Sequence, residues 1–145
     1  MIVRKIIESK RIQQILTIKA DQSVKEATEL LAKNKVGAIV VSEDGISVDG
    51  ILSERDIVGA IGRQGPDCLG SPVSSLMTTK VSSCSPDDTS EAVMERMTDG
   101  RFRHMPVMTS GRMVGVISIG DVVKARISEI EQENSALTGM IANNW

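Results

Sequence analysis

Apolar residues in the first half of the chain alternate between strand-like runs and helix-like spacing. Short runs rich in β-branched residues and bounded by turn residues predict strands, and apolar positions three or four residues apart predict helices. Ser23 and Glu26 have the spacing of a capping box, which predicts a helix start there. The predicted elements are, in order, a strand at Ile15–Ile18, a helix to about Asn34, strands at Gly37–Val41 and Val48–Ser53, and a helix from Arg55 to about Ile61.

The second half of the chain repeats this order. Its helix, Thr89–Thr98, is predicted to begin with a capping box from Asp88 to Glu91 and to end at Gly100. Its strands are predicted at Val81–Cys84, His104–Met108 and Met113–Ser118. Each half therefore has the order β-α-β-β-α. Because about 65 residues are marginal as an independent unit, we expect an α+β fold in which two repeats pack sheet to sheet about a pseudo-twofold axis.

A connector and two short helical segments divide the chain. Residues 2–9 have helical spacing, and Val73–Met77 is a matching helical turn at the start of the second half. The stretch Gly62–Ser75 is rich in Gly, Pro and Ser, as junctions are. We predict a first repeat at 1–62, a connector at 63–72, a second repeat at 73–127, and a C-terminal helix and tail at 128–145.

The C-terminal segment has apolar residues at alternating steps of four and three, which is a heptad seam. One seam position is polar, and a lone seam Asn can fix the register between partner helices. The run is shorter than the three to four heptads that define a coiled coil. It predicts either a dimer contact or a helix that packs on its own domain. The seam consists of Val123, Ile127, Ile130, Asn134, Leu137 and Ile141.

A Ser-x-x-Asp motif ends the last strand of each half. Ser53 and Asp56 form the first copy, and Ser118 and Asp121 the second, 65 positions on (118 minus 53). Ser followed three positions later by an acid is a helix-capping pattern. An Asp at such a strand-to-helix junction can also accept two hydrogen bonds from the vicinal diol of a ribose, beside backbone N–H groups that attract anions. Two matched copies favour a pair of ribose-binding corners.

Basic residues concentrate just before one strand of the second half. Arg101, Arg103 and His104 offer donors that match phosphate oxygens, although a solvated Arg pair beside a core histidine would have the same sequence. The matching place in the first half, at Gly37 and Ala38, has no cation, so we expect two unequal sites. Weaker candidates for the cleft are Thr17, Lys19, Arg55, Ser82 and Met105, the last of which could flank an adenine ring.

Composition disfavours nucleic-acid binding. Phe102 and Trp145 are the chain's two aromatic residues, so bases have few rings on which to stack. A net charge of −2 does not supply a broad basic surface. The nucleic-acid hypothesis therefore depends on Arg101 and Arg103 alone.

Sequence features also argue against a membrane protein and an enzyme. No apolar run approaches the ~18 residues that span a bilayer, and charges interrupt residues 1–8, where a signal peptide needs an apolar region. Cys68 and Cys84 lack metal-ligand spacing and the chain has one His, so we expect free thiols in a reducing cytoplasm and no metal site. No nucleophile–base pair or carboxylate pair is evident, so we expect no catalytic residues and no catalytic cofactor.

Over about residues 2–130 the chain resembles a cystathionine-β-synthase (CBS) domain pair, or Bateman module, and in particular small stand-alone bacterial proteins of this kind. The resemblance is carried by the duplicated β-α-β-β-α order and by Gly37-Ala-Ile-Val-Val41, Gly50-Ile-Leu-Ser-Glu-Arg-Asp56, Arg103-His-Met-Pro-Val107 and Gly115-Val-Ile-Ser-Ile-Gly-Asp121. It implies binding of an adenosyl ligand, namely AMP, ADP, ATP, NAD(H) or S-adenosylmethionine, between the repeats.

The family pattern also implies roles for individual residues. Ribose would be held by Asp56 and Asp121 beside Ser53 and Ser118, phosphate by Arg103 and His104, and adenine by backbone around Gly37, Ala38, Met105 and Pro106. The resemblance further implies a homodimer and a regulatory function, with energy or redox sensing reported to a separate effector protein. The alternative is a ligand-free dimerisation scaffold in which the Ser-x-x-Asp pairs are helix caps.

Overall fold

The computed structural model describes residues 1–10 and 15–143, with side chains to residue 140. It confirms the α+β class and the duplicated arrangement. Two short 3₁₀ turns, Pro66–Gly70 and Val73–Ser75, join the repeats. The helices and strands are α1 Val3–Ser9, β1 Thr17–Ile18, α2 Val24–Asn34, β2 Ala38–Val41, β3 Gly50–Ser53, α3 Glu54–Gln64, α4 Ser90–Gly100, β4 His104–Thr109, β5 Arg112–Ser118 and α5 Ile119–Asn143.

Each repeat builds a small sheet around an antiparallel hairpin. In the first sheet β2 lies between β1, which runs parallel to it, and β3, which runs antiparallel. In the second sheet β4 pairs antiparallel with β5. The predicted strand Val81–Cys84 is wrong, since Cys84 makes a single parallel bridge to Val107. The polar residues before Cys84 have little apolar surface to bury. The Arg96 guanidinium donates a 3.1 Å hydrogen bond to the Ser83 carbonyl.

The two hydrophobic cores exchange segments across the chain. Val3 and Ile6 of α1 are buried in the core of the second repeat, although they begin the chain. Val73, which opens the second half, is buried in the core of the first repeat. Backbone hydrogen bonds fix both segments, from Val3 N–H to the Asp88 carbonyl and from Val73 N–H to the Gln22 carbonyl. Each core is therefore completed by residues that belong to the other half of the sequence.

Close backbone approaches at two equivalent glycines position the segments beside the last strand of each repeat. A Cβ on Gly50 would lie 2.8 Å from both the Met77 sulfur and the Thr78 carbonyl oxygen. A Cβ on Gly115, which occupies the same place in the second repeat, would lie 3.0 Å from the Ile7 side chain. The chain before each repeat's first strand therefore lies directly against β3 or β5.

The start and end of α4 differ from the prediction. Thr89 is the N-cap, because its hydroxyl accepts the Ala92 N–H, while Asp88 accepts the Ser85 N–H outside the helix. Gly100 is the last helical residue and Arg101 takes the left-handed conformation, with φ at 55°. Gly100 is needed for space, since a Cβ there would lie 2.3 Å from the Phe102 ring.

The start of α2 also departs from the predicted capping box. The Ser23 hydroxyl accepts the Glu26 N–H at 3.1 Å, as expected. The Glu26 carboxylate does not return to the Ser23 backbone but accepts from the side chains of Ser23 and Gln22. The box is therefore half formed.

The C-terminal helix begins earlier than the heptad pattern indicates and has two distinct faces. Val122 and Ala125 are buried against the second core, so one face packs on its own repeat. The seam face is exposed at Val123, Ile127 and Ile130, and the Ile141 side chain lies outside the described residues. No helix in the described ranges is long and apolar enough to cross a membrane.

Candidate functional site

Both Ser-x-x-Asp corners form reciprocal capping boxes. The Ser53 hydroxyl accepts the Asp56 N–H at 3.2 Å, and the Asp56 carboxylate accepts the Ser53 N–H at 2.9 Å. In the second corner the same two bonds between Ser118 and Asp121 measure 3.1 and 2.8 Å. In each Asp the carboxylate oxygen that accepts the Ser N–H is Oδ2. The corners therefore do cap α3 and α5, and a capping role does not by itself exclude a ligand role.

A cavity of about 320 Å³ lies between the two repeats. It is lined by Asp56 at the start of α3 and by the basic segment that follows α4. Of the predicted site residues, the cavity brings together Gly37, Ala38, Ser53, Arg55, Asp56, Arg101, Arg103 and His104, together with Ser82.

Six predicted site residues do not line this cavity. Ser118 and Asp121 form the second corner, on the other repeat. Thr17 pairs with Val40 inside the first sheet, and Lys19 lies near the Glu43 carboxylate. Met105 and Pro106 both lie in β4. The Met105 side chain is fully buried in the second core, so contrary to our expectation it cannot flank a ring in this cavity.

Sequence reasoning missed one wall of the cavity. Thr78, Lys80 and Val81 line it from the start of the second repeat. Thr78 is held there by backbone hydrogen bonds with Ile51 in both directions, at 2.8 and 3.0 Å. The available signal was Gly50, whose lack of a side chain admits this segment against β3.

His104 lies between the two halves of the site, where burial affects its protonation. Its ring approaches Gly37, where a Cβ would lie 3.3 Å from the imidazole carbon Cε1. Burial lowers the pKa of His104, and the nearby carboxylates of Asp121 and Glu54 only partly oppose this effect. The imidazole is therefore uncharged near pH 7 and offers a neutral N–H, while the positive charge of the site comes from the guanidinium groups and Lys80.

Arg55 connects the two repeats across the cavity. Its guanidinium, at the start of α3, donates a 3.2 Å hydrogen bond to the Arg101 carbonyl, just after α4. Arg101 is the C-cap of α4 and has the left-handed conformation. Arg55 therefore holds the first repeat to the basic segment of the second.

The side chains that line the cavity can bind a ligand with hydroxyl groups and negative charge. The Asp56 carboxylate can accept hydrogen bonds from hydroxyl groups, and the guanidinium groups of the lining can bind an anion. Among residues 1–10 and 15–143 no cluster of His, Cys, Asp or Glu has the geometry of a metal site. Both cysteines are buried free thiols, and burial together with the Asp88 charge raises the pKa of Cys84 to about 12, so that thiol is not a nucleophile near pH 7.

Comparison with known proteins decides the family. A model of the CBS domain matches residues 3–63 and again residues 73–128. The chain belongs to the CBS-domain family. The CBS-domain resemblance of the sequence and the tandem fold are thereby confirmed.

Some relatives in the CBS-domain family match this chain along most of their own length. The CBS domain-containing protein YhcV of Bacillus subtilis is 33% identical over 131 residues, which is 90% of this chain and 91% of YhcV. The crystal structure of the CBS-domain containing protein ATU1752 from Agrobacterium tumefaciens is 43% identical, with a TM-score of 0.83, and covers 87% of this chain and 99% of its own. The CBS domain protein PAE2072 from Pyrobaculum aerophilum, solved in complex with AMP, is 25% identical, with a TM-score of 0.73, and covers 83% and 89% respectively.

Proposed function

We propose that this CBS-domain protein is a regulatory module that binds an adenine nucleotide between its repeats. The observation that carries the proposal is the joining, in one cavity, of the Asp56 carboxylate with Arg101 and Arg103. A nucleotide presents a ribose diol at one point and phosphate oxygens at another, which is the complement of this distribution. The AMP complex of the related PAE2072 supports the same ligand class.

Size and charge narrow the ligand class. A cavity of about 320 Å³ is at the lower end of the ~300–1,000 Å³ typical of small-molecule sites. The cationic lining favours ligands with phosphate charge, namely AMP, ADP, ATP or NAD(H). S-adenosylmethionine carries a sulfonium cation in place of phosphate, so the guanidinium groups disfavour it.

A calorimetric titration with AMP, ADP, ATP, NADH and S-adenosylmethionine tests this function. We expect at least one phosphate-bearing ligand to bind more tightly than 1 mM, which corresponds to about −4.1 kcal/mol. S-adenosylmethionine should bind at least about tenfold more weakly, equivalent to about 1.4 kcal/mol. Binding weaker than millimolar for every ligand would rule out the nucleotide-sensing role.

A ligand-free scaffold is the second candidate function. The observation that favours it is the reciprocal capping box at each corner, which accounts for Ser53, Asp56, Ser118 and Asp121 without any ligand. The scaffold hypothesis does not account for the basic residues that line the cavity together with Asp56. The two candidates differ in the behaviour of Asp56 variants, as described in the Discussion.

We further propose that the module acts as a homodimer, in the cytoplasm of a bacterium, and reports to a separate effector protein. The seam face of α5 supports self-association, since Ile127 is 52% exposed and Ile130 46% exposed on a helix whose other face is already buried. Antiparallel pairing about Ile130 would set Val123 of one copy against Leu137 of the other.

An Ile130→Asp variant should shift the protein from dimer to monomer. A charge at the centre of an apolar seam would be buried without a partner, which costs several kcal/mol in a dimer and little in an exposed monomer. Analytical ultracentrifugation across a range of protein concentrations measures the change. Gln132→Asp is the matched control, because position 132 is two residues away and faces away from the seam. Equal dimerisation of the two variants would argue against α5 as the interface.

A further inference from the structure

The two Ser-x-x-Asp corners have equal capping bonds but different electrostatic surroundings. The Lys10 ammonium lies 2.9 Å from the Asp121 carboxylate and also donates a 2.8 Å hydrogen bond to the Val116 carbonyl. Both side chains of this ion pair are largely shielded from solvent, with 29% and 23% exposed. Within the described residues, Asp56 has no cation within 4 Å.

The acidity of Asp121 is consistent with this contact. Burial acts to raise the pKa of Asp121, but the hydrogen bond from the Ser118 N–H and the Lys10 ammonium outweigh it. The pKa of Asp121 is therefore lower than usual, and the carboxylate is ionised and paired at neutral pH. The second corner already contains the positive partner that its carboxylate requires.

The internal repeat identifies the first-corner counterpart of Lys10. Ile7 lies against Gly115 in the second repeat, and Met77 lies against Gly50 in the first. Lys10 follows Ile7 by three positions, and Lys80 follows Met77 by three (10 minus 7; 80 minus 77). Lys10 and Lys80 are thus equivalent residues of the duplication. Lys10 is bonded to its corner, while Lys80 is exposed on the wall of the cavity beside Asp56.

A difference in backbone structure explains why equivalent lysines behave differently. In the first repeat the carbonyl of Ile51 accepts the Thr78 N–H, so the backbone of the preceding segment satisfies that position of β3. In the second repeat α1 stays helical to Ser9 and presents no such N–H. The equivalent carbonyl, on Val116, accepts the Lys10 side chain instead, and this bond holds the ammonium against Asp121.

We infer that the chain takes one adenine nucleotide, at the Asp56 corner, and that Lys10 excludes a second nucleotide from the Asp121 corner. This inference depends on the proposed nucleotide-binding function. It adds the number of nucleotides bound per chain and the residue, Lys10, that limits this number. A ribose diol entering the second corner must displace the ammonium from Asp121 and break the bond to Val116. At the first corner no such displacement is needed, and Lys80 adds a cation for phosphate.

Calorimetry with ADP on the full chain tests the inference. We expect one ADP per chain for the wild type and a second binding event, giving two per chain, for Lys10→Met or Lys10→Gln. Lys10→Arg keeps the cation and should bind one. The matched variant Lys80→Met, at the equivalent position, should weaken the single event about tenfold without changing the number bound. The double variant Asp56→Ala/Lys10→Met should retain one event, at the second corner.

The outcomes separate failure of the inference from failure of the function. Two ADP per wild-type chain, or an unchanged stoichiometry in both Lys10→Met and Lys10→Gln, would overturn the exclusion by Lys10 while leaving nucleotide binding intact. Weaker binding in those variants would show that Lys10 is a ligand contact. No binding of ADP to any variant would remove the proposed function and the inference with it. An NMR titration of the Asp121 carboxyl provides a ligand-free check, since its pKa should rise in Lys10→Met.

Discussion

Asp56→Ala should sharply reduce the thermal stabilisation that a nucleotide gives this protein, whereas Asp121→Ala should preserve it. In both variants a helix loses its capping box, because the two corners have the same reciprocal bonds. The unliganded stability should therefore fall in both by about 0.5–2 kcal/mol. Asp56 alone of the pair lines the cavity with Arg103 and His104. The ligand response should consequently separate the two variants.

The size of this effect follows from mass action. A ligand at 100 times its dissociation constant stabilises a folded protein by about 2.7 kcal/mol. For a domain of about 150 residues that is a rise in Tm of about 5–10 °C. Loss of one hydrogen bond to the charged carboxylate costs about 1.5–3 kcal/mol, or about 10- to 150-fold in affinity. A fluorescence melting series with and without ADP measures both the unliganded stability and the rise in Tm that the ligand gives.

Asp56→Asn refines the comparison. An amide oxygen can still accept the Ser53 N–H, so the helix cap is largely retained while the charge is lost. We expect near wild-type unliganded stability and a strongly reduced ligand response. If Asp56→Ala and Asp121→Ala responded to ADP equally, the Ser-x-x-Asp motifs would be helix caps alone and the scaffold hypothesis would stand.

Leu52→Ala should lower the free energy of unfolding by about 2–5 kcal/mol. Leu52 is fully buried in β3, opposite Ile39 of β2, and its side chain is part of the first hydrophobic core. Truncation removes apolar contacts and leaves a cavity that a close-packed core fills poorly. Since small domains are stable by about 5–15 kcal/mol in total, this is a large fraction.

Urea denaturation monitored by far-UV circular dichroism measures the effect. Val58→Ala is the matched control, because Val58 lies in the following helix and is 69% exposed. We expect that control to remain within about 0.5 kcal/mol of the wild type. A loss below about 1 kcal/mol for Leu52→Ala would contradict the placement of β3 in the core.

Hydrophobic patterning predicted most of the fold because the repeat is local and strongly periodic. The runs around Ile39 and Ile117 have the composition of buried strands, and both form strands whose central residues are buried. The pattern failed at Val81–Cys84, where Cys84 makes an isolated bridge to Val107 and the Arg96 guanidinium donates a hydrogen bond to the Ser83 carbonyl. It also misplaced the end of α4, because the need for Gly100 comes from the Phe102 ring rather than from turn geometry.

The candidate site was less predictable than the fold. Motif spacing identified Asp56 and Arg103, and the structure brings them to one cavity. The sequence does not show that the basic segment of the second repeat faces the first corner rather than its own, since that depends on how the repeats pack. The Lys10 contact with Asp121 was missed for the same reason, as the two residues are far apart along the chain and meet only through α1 and β5.

The exchange of segments between the cores has a consequence for biogenesis. Val73 must be synthesised before the first core is complete, and α1 has to wait for β4 and β5 before it acquires its own packing partners. A ribosome-bound nascent chain that ends within the connector would therefore expose an apolar helix with nothing to cover it. A protease that nicks the folded protein between the repeats should, by the same logic, leave two fragments that remain associated.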